Sequence, residues 1–151
     1  MSLDFHLFLN AEETATSLQM RFADWLGLEL APDFKGLKKL LSPSLNMVIG
    51  PDLSDSARAA GIVANLGLGL YLRDRSLLEE WNIDCMRVLL TVLHNYPGDV
   101  LFVELENPAL LRKNGRIVLD NKHGTWNDDV EPNLRAMLNL PYEFGEIKMN
   151  W

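Results

Sequence analysis

Apolar residues occupy every second position over residues 3–9 of the chain. This period-two pattern predicts a strand with one buried face. Apolar residues then recur at helical spacing over residues 15–26, which predicts an amphipathic helix. We expect Asn10 to cap this helix, with Glu13 as the second half of a capping box, and Gly27 to end it.

The least regular part of the chain is the segment 31–60, because prolines and glycines interrupt its pattern of apolar residues. We interpret this segment as a loop-rich excursion within the fold and not as a separate domain. It is predicted to contain a short helix over residues 33–41 and a short strand over residues 46–49.

A long strand and a long helix follow. Apolar residues alternate strictly with other residues over 62–72, which predicts the strand. Gly67 and Gly69 fall on its less apolar face, where we expect a bulge or a close contact with a neighbouring element. Residues 76–95 carry a wide apolar face at helical spacing, so this helix is predicted to be well buried and to end before Pro97.

The strongest turn signal in the chain is Asn114-Gly115, which lies between two apolar runs. Glycine, and asparagine nearly as well, adopts the positive φ that a type I′ hairpin turn requires. Asn107-Pro108 is predicted to form another turn, seven residues upstream. Three consecutive antiparallel strands are therefore predicted, over about 100–105, 109–112 and 116–119.

The end of the chain predicts a short helix and an edge strand. Asn127 or Asp128 is expected to cap the helix, which runs through Leu138, and the tail 142–151 is expected to supply the strand. Because short hairpins favour antiparallel pairing, the element order predicts an α+β fold, with a single antiparallel β-sheet and helices packed mainly on one face. The length predicts one domain over residues 1–151.

The charge of the chain is acidic. Its 14 lysine and arginine residues and 21 aspartate and glutamate residues give a formal net charge of −7. This charge disfavours binding to nucleic acid or to anionic membranes, and it suits a basic partner. The sequence shows neither a signal-peptide pattern nor an apolar run of the roughly 20 residues that a membrane span needs, so a cytoplasmic location is predicted. The single cysteine, Cys85, is expected to be a buried, inert thiol.

The sequence contains no recognised catalytic, metal-binding or cofactor-binding motif. His6, His94 and His123 are far apart and show no metal-ligand spacing. The chain has no nucleophile elbow, and its closely spaced glycines fall inside a predicted strand and not at the strand-to-helix turn that a phosphate loop needs. We therefore predict a protein that is not an enzyme, with no catalytic residues, no metal and no cofactor.

Carboxylates cluster in the second half of the chain, beside Trp126, and Glu104 and Glu106 are expected to share one face of a strand. A solvated strand face and an acidic helix N-terminus explain this most simply. Alternatively, Glu104, Glu106 or Asp120 could serve hydrolysis. A third interpretation is an acidic recognition surface with Trp126 and Tyr142 as aromatic anchors, although buried core roles are more common for such aromatics. On this third interpretation, the candidate binding residues are Glu104, Glu106, Asp120, Trp126, Asp128, Asp129 and Glu131.

The region from Pro97 to Trp126 resembles the immunity proteins of the swarming-inhibition toxin system, third type, a family from bacterial toxin–immunity loci. Its members show a long helix, a Gly-Asp-Ala-Val-Leu-like strand, an apolar strand ending in Arg-x-x-Gly, a Leu-Val-Leu-Asn strand and a tryptophan corner. The family's Asn-Gly-Glu turn is replaced here by Glu104–Pro108. The matching residues are Gly98–Phe102, Leu110–Arg112, Gly115–Asp120 and Trp126.

This resemblance implies a non-enzymatic antidote. Such a protein binds one cognate toxin domain in the cytoplasm, where a basic nuclease would suit the acidic charge, and blocks its active site or its access to a target. Immunity proteins meet their toxins through variable surfaces, so the resemblance itself transfers no contact residue. The alternative is an intracellular protein-binding or scaffold module without catalytic activity, paired through an exposed strand edge.

Overall fold

A central strand, β1 (Asp4–Leu9), organises the fold in a computed structural model that describes residues 4–52, 54–129 and 132–151. Phe5 and Leu7 point toward the helices and are buried, as the alternation predicts. Phe8 points to the other side of the sheet and is buried as well, because a second apolar cluster covers it. The strand is therefore packed on both faces near Phe8, toward its C-terminal end.

Within the described residues, nine strands form one sheet in the order β2-β3-β4-β5-β1-β6-β7-β8-β9. Neighbouring strands are antiparallel, except for the parallel pair β8 and β9. The other strands are β2 (Glu29–Phe34), β3 (Leu37–Leu41), β4 (Leu45–Pro51), β5 (Leu66–Leu72), β6 (Val100–Glu104), β7 (Asn107–Lys113), β8 (Arg116–Leu119) and β9 (Glu143–Phe144).

The helices lie mainly on one face, as predicted for the α+β fold. The main core packs the sheet against α1 (Ala15–Leu26), α3 (Leu78–Asn95) and the region of α4 (Leu134–Met137). The remaining helix, α2 (Ser56–Ala59), packs on the opposite face of the sheet, in a smaller cluster of buried side chains. We call the first face of the sheet the helical face and the second the open face.

The helix α1 begins later than expected. Thr14 is its N-cap and forms a capping box with Ser17, so the predicted capping by Asn10 and Glu13 is wrong. The side chain of Asn10 is exposed, while Glu13 accepts hydrogen bonds from Arg21 and Tyr96. The predicted end at Gly27 is confirmed, since that residue adopts a left-handed conformation with φ 65°.

The predicted helix over 33–41 is wrong, because these residues form a hairpin of β2 and β3. Lys35 and Gly36 both have positive φ, 50° and 79°, which suits a tight hairpin turn. Leu40 is fully buried on the helical face, and Gln19 of α1 donates a hydrogen bond of 3.0 Å to the carbonyl of Lys39. Packing under α1 thus determines the conformation of residues 33–41, whose sequence pattern fits either a helix or a strand.

The later hairpins match their predictions except at one turn. Asn114 and Gly115 both have positive φ, 53° and 79°, and they join β7 to β8 as expected. The turn between β6 and β7 lies at Leu105-Glu106, so the prediction of Asn107-Pro108 is wrong by two residues. The strand predicted over 62–72 is present only as β5, Leu66–Leu72.

The C-terminal elements are shorter than predicted. Asn133 caps α4, and not Asn127 or Asp128, and the helix ends at Met137. The tail contributes β9, which pairs with β8 in parallel and not in the antiparallel manner expected. None of the helices described is both long enough and apolar enough to cross a bilayer.

Candidate functional site

The open face of the sheet is only half covered. Val48 on β4 and Tyr71 on β5 are half-buried and belong to neither buried cluster. Their neighbours on this face, His6 on β1 and Lys39 on β3, are half-buried too. The covered half is held by a cluster of Phe8, Ala57, Ala60, Ile62, Leu101 and Val103.

Two glycines of β5 leave space for aromatic rings on the open face. A Cβ added at Gly69 would lie 2.6 Å from Cε2 of Tyr71, so the tyrosine ring occupies the space above this glycine. A Cβ at Gly67 would lie 3.6 Å from the Phe8 ring of the neighbouring strand, which is the close contact expected from the sequence. The rings of Tyr71 and Phe8 therefore lie over the glycines of β5.

His6 links these aromatic rings across β1. Its ring meets Tyr71 edge-on at 5.7 Å and lies parallel to Phe8 at 6.4 Å between centroids. Its Nε2 is 3.7 Å from Oδ1 of Asp4. Burial and then the Asp4 carboxylate raise the pKa of Tyr71, so its hydroxyl keeps its proton and can donate a hydrogen bond.

The last seven residues, 145–151, run along the edge of the open face, and we call them the C-terminal strap. The backbone N–H of Gly145 donates to the carbonyl of Leu119 at 3.0 Å, and that of Asn150 donates to Ala59 at 2.7 Å. The half-buried side chain of Met149 packs against the cluster of the covered half. The strap ends with Trp151, whose side chain is 77% exposed.

A groove of about 500 Å³ lies between the strap and the β6–β7 turn. We call it the Trp151 groove. It combines buried apolar side chains with exposed ones and with a single carboxylate. Its lining consists of His6, Phe8, Ser54, Ser56, Val103, Leu105, Glu106, Met149 and Trp151.

Asp120 and Trp126, two of the predicted contact residues, have structural roles. Asp120 is 8% exposed and accepts hydrogen bonds from the N–H groups of Lys122 and Ile147, both at 3.0 Å. Trp126 is 1% exposed, and its Nε1 donates to the carbonyl of Ala109 at 2.8 Å. A buried tryptophan offers no surface to a partner, so the anchor role expected for Trp126 does not fit this structure.

Glu104 and Glu106 do not share a strand face, contrary to expectation. Glu104 ends β6 and accepts a hydrogen bond of 2.6 Å from Thr125, beside Trp126. Glu106 is exposed in the turn after β6 and lines the Trp151 groove. Glu104 thus lies beside Trp126, whereas Glu106 and Asp120 both border the depression next to this groove.

Asp128 is tied through Arg135 to Tyr142, the residue before β9. Asp128 accepts a hydrogen bond of 2.9 Å from Arg135, which lowers the pKa of that carboxyl group. Arg135 also donates to the hydroxyl of Tyr142 at 2.9 Å. Asp129 is exposed, whereas Glu131 lies outside the described residues.

Other chemistry-bearing residues are dispersed or buried. Across the described residues, no group of three or more histidine, cysteine, aspartate or glutamate side chains could hold a metal ion. Cys85 is fully buried in α3, and burial raises the pKa of its thiol well above the ordinary value. Such a thiol is protonated and unreactive at neutral pH, as the sequence suggested.

Two features of this region were not found from the sequence. One is the buried side chain of Arg112, which donates hydrogen bonds to main-chain carbonyls at the end of α3. The other is the contact of the strap with the open face: the tail 142–151 was expected only as an edge strand, although Ile147, Met149 and Trp151 alternate with polar residues. That alternation was the available signal for an extended segment with one packed side.

Comparisons of the chain with protein-family models, with curated proteins and with solved structures find no match.

Proposed function

We propose that this chain is an immunity protein that binds a cognate toxin domain in the cytoplasm and neutralises it by occlusion. The observation that carries the proposal is the half-covered open face, which carries the rings of Tyr71 and His6 and is bordered by a groove with an exposed tryptophan. Exposed apolar surface with a polar rim is typical of protein–protein contact sites.

The residues that carry the family resemblance support the framework of such a protein. Leu110 and Leu119 are fully buried in the hairpin β7–β8, and Trp126 fills the core beside it. Arg112 ties that hairpin to the end of α3. Because these residues face inward, the pattern specifies a scaffold and leaves the open face free to vary with the partner.

The arrangement of carboxylates favours a binding role over hydrolysis. Asp120 is held by two backbone N–H groups, and Glu104 is held by Thr125. Hydrolytic carboxylate pairs converge on one substrate position, about 5–10 Å apart. Here Glu104 and Asp120 already accept hydrogen bonds from the protein, and Glu106 is the exposed member of the three.

The charge supports a basic partner. At −7, the chain would attract a positively charged domain over long distances and accelerate its association. A nuclease toxin is such a domain, since it must bind anionic nucleic acid. Occlusion of that basic surface would account for neutralisation without any chemistry in the antidote.

The alternative function, a scaffold module, would pair through its strand edges. The two edge strands of this sheet have features that disfavour such pairing. At one edge, Pro32 lies within β2, where it removes a hydrogen-bond donor, and the register of the β2–β3 pair shifts between Ala31 and Phe34. At the other edge, β9 has only two residues. Proline, irregularity and short length are common protections against edge-to-edge association.

The proposal is tested by co-expressing this chain with the toxin domain encoded by the adjacent gene. Cells should survive toxin induction only when the chain is present, and the purified proteins should form a stable complex by isothermal titration calorimetry. A variant of Leu7, such as Leu7→Asp, which disrupts the buried core, provides a control for non-specific rescue. Toxin activity that is unchanged by the chain, with no measurable complex, would contradict the proposal.

A further inference from the structure

We propose that the Trp151 groove receives an arginine or lysine side chain from a protein partner. The inference rests on the proposed function only in taking that partner to be the basic toxin domain. It concerns a groove whose apolar floor matches the alkyl stem of a long cationic side chain, and whose aromatic wall and single carboxylate match its charged end.

The aromatic wall is Trp151. Its side chain is the most exposed of the large apolar side chains in the described residues, at 77%. An exposed tryptophan face attracts a cation within about 6 Å of the ring centroid, and tryptophan is the best of the aromatic residues for this contact. Exposed Phe34 already shows the same chemistry elsewhere, since Lys35 and Lys39 lie 5.3 and 5.9 Å from its ring centroid.

The apolar floor consists of Phe8, Val103 and Met149. Phe8 and Val103 are buried at 7% and 5% exposure, and Met149 packs over them from the strap. The alkyl stem of lysine or arginine packs well on such surface while its charged end stays near water. Methionine also adapts its shape to different neighbours, which suits a contact site.

The carboxylate is that of Glu106. This side chain is exposed, and it makes no ion pair with the described residues. It is the only acidic residue in the described lining of the groove, and that lining includes no lysine or arginine. Lys122 and Lys148 line the next depression, which Glu106 also borders. An incoming cation would therefore find one uncommitted carboxylate at the rim.

The backbone at Leu105 fixes the rim beside this carboxylate. Leu105 has φ 56°, a conformation that bulky L-residues adopt rarely, and its side chain is 38% exposed. Its N–H donates to the carbonyl of Asp4 at 3.1 Å, which ties the turn to β1. Such strained positions occur preferentially at binding sites, where they hold neighbouring groups in place.

The test uses NMR titration of the full chain with acetyl-Gly-Arg-Gly-amide. Citrulline in place of arginine provides the neutral control of the same shape. We expect the indole N–H of Trp151 and the backbone N–H of Glu106 to shift saturably with the arginine peptide up to about 50 mM, because a single contact of this kind is weak. The citrulline peptide should shift them little.

Substitutions inside and outside the Trp151 groove show where the arginine peptide binds. Trp151→Ala should abolish the saturable shift at Glu106, and Glu106→Gln should weaken binding about three- to fivefold, as expected for one exposed ion pair. Phe34→Ala and Glu12→Gln, which remove an exposed aromatic ring and an exposed carboxylate elsewhere, should leave the titration unchanged.

Equal shifts with arginine and citrulline, or shifts that survive Trp151→Ala, would overturn the inference. The two proposals can also fail separately. A chain that binds the arginine peptide in this groove but does not protect against the toxin would refute the immunity function alone. A chain that binds the toxin with unchanged affinity after Trp151→Ala and Glu106→Gln would refute the groove assignment alone.

Discussion

The guanidinium of Arg112, on β7, donates two hydrogen bonds to the carbonyl oxygen of Gly98, from Nε at 3.0 Å and from Nη2 at 2.7 Å. The same group donates to the carbonyls of Leu93, at 2.8 Å, and Tyr96. The last carbonyls of a helix lack partners within it, and they attract a cation. Arg112 therefore caps α3 from the sheet and fixes the start of β6.

Replacing Arg112 should destabilise the fold strongly. Arg112→Met would leave buried carbonyls without donors, and we expect the free energy of unfolding in urea to fall by about 3 kcal/mol or more. Arg112→Lys should recover only part of this loss, because an ammonium group cannot reproduce the fork of donors. Arg87→Met, at an exposed ion pair on α3, is the control and should cost less than about 1 kcal/mol. Equal losses for Arg87→Met and Arg112→Met would contradict the capping role.

Trp126→Phe separates a core role from a contact role. The change removes the hydrogen bond from Nε1 to Ala109 and some packed volume, so stability should fall by about 1–3 kcal/mol. The affinity of the folded variant for its partner should not change, because the wild-type side chain is buried. Calorimetry at a temperature where the variant is folded measures this. A loss of affinity with unchanged stability would restore Trp126 as a contact residue.

Asp120 is expected to hold the C-terminal strap through Ile147. In Asp120→Ala the backbone N–H of Ile147 loses its acceptor, and its hydrogen exchange should accelerate about tenfold or more. Asp129→Ala, at an exposed carboxylate, is the matched control and should leave the exchange rate unchanged. Protection of Ile147 that persists in Asp120→Ala would show that other contacts hold the strap.

The phenol of Tyr96 is expected to make the stability of the fold sensitive to alkaline pH. Burial, followed by the hydrogen bond of 2.7 Å from its hydroxyl to Glu13, raises the pKa of Tyr96. In the unfolded chain a tyrosine ionises at about pH 10, whereas in the folded chain Tyr96 keeps its proton to higher pH. Proton release then favours unfolding, so the contribution of this group to stability is complete below about pH 10 and is lost as the pH rises further.

Urea unfolding between about pH 8 and pH 11 measures this loss. The wild-type protein should lose stability more steeply with rising pH than Tyr96→Phe, which has no phenol to ionise at this position. Identical slopes for the two proteins would mean that Tyr96 ionises alike in the folded and unfolded states.

Sequence patterns predicted those elements whose conformation is determined by a few neighbouring residues. Asn114 and Gly115 determine their own turn because both accept positive φ, and the end of α1 at Gly27 has the same origin. The residues 33–41 could not be assigned in this way. Leucines and lysines there fit a helix or a strand equally well, and burial of Leu40 under α1 decides between them.

The candidate site depended on contacts that are distant in sequence. Nothing near Asp120 reveals that it accepts a hydrogen bond from Ile147, 27 residues away. Glu104 and Glu106 lie in different surroundings because the chain turns at Leu105. This residue has a positive φ, which is unusual for leucine. The sequence therefore indicated an acidic region, but only the folded chain brings Trp151 beside Glu106.

The most direct test of a partner-binding open face compares two variants that add the same charge to opposite layers. Val48→Arg places an arginine on the uncovered half of the open face, and Met20→Arg places one on the exposed side of α1. The affinity for the proposed toxin partner should fall about tenfold or more in Val48→Arg and stay within about twofold in Met20→Arg. Weakened binding in Met20→Arg with unchanged binding in Val48→Arg would contradict the assignment of the open face as the binding surface.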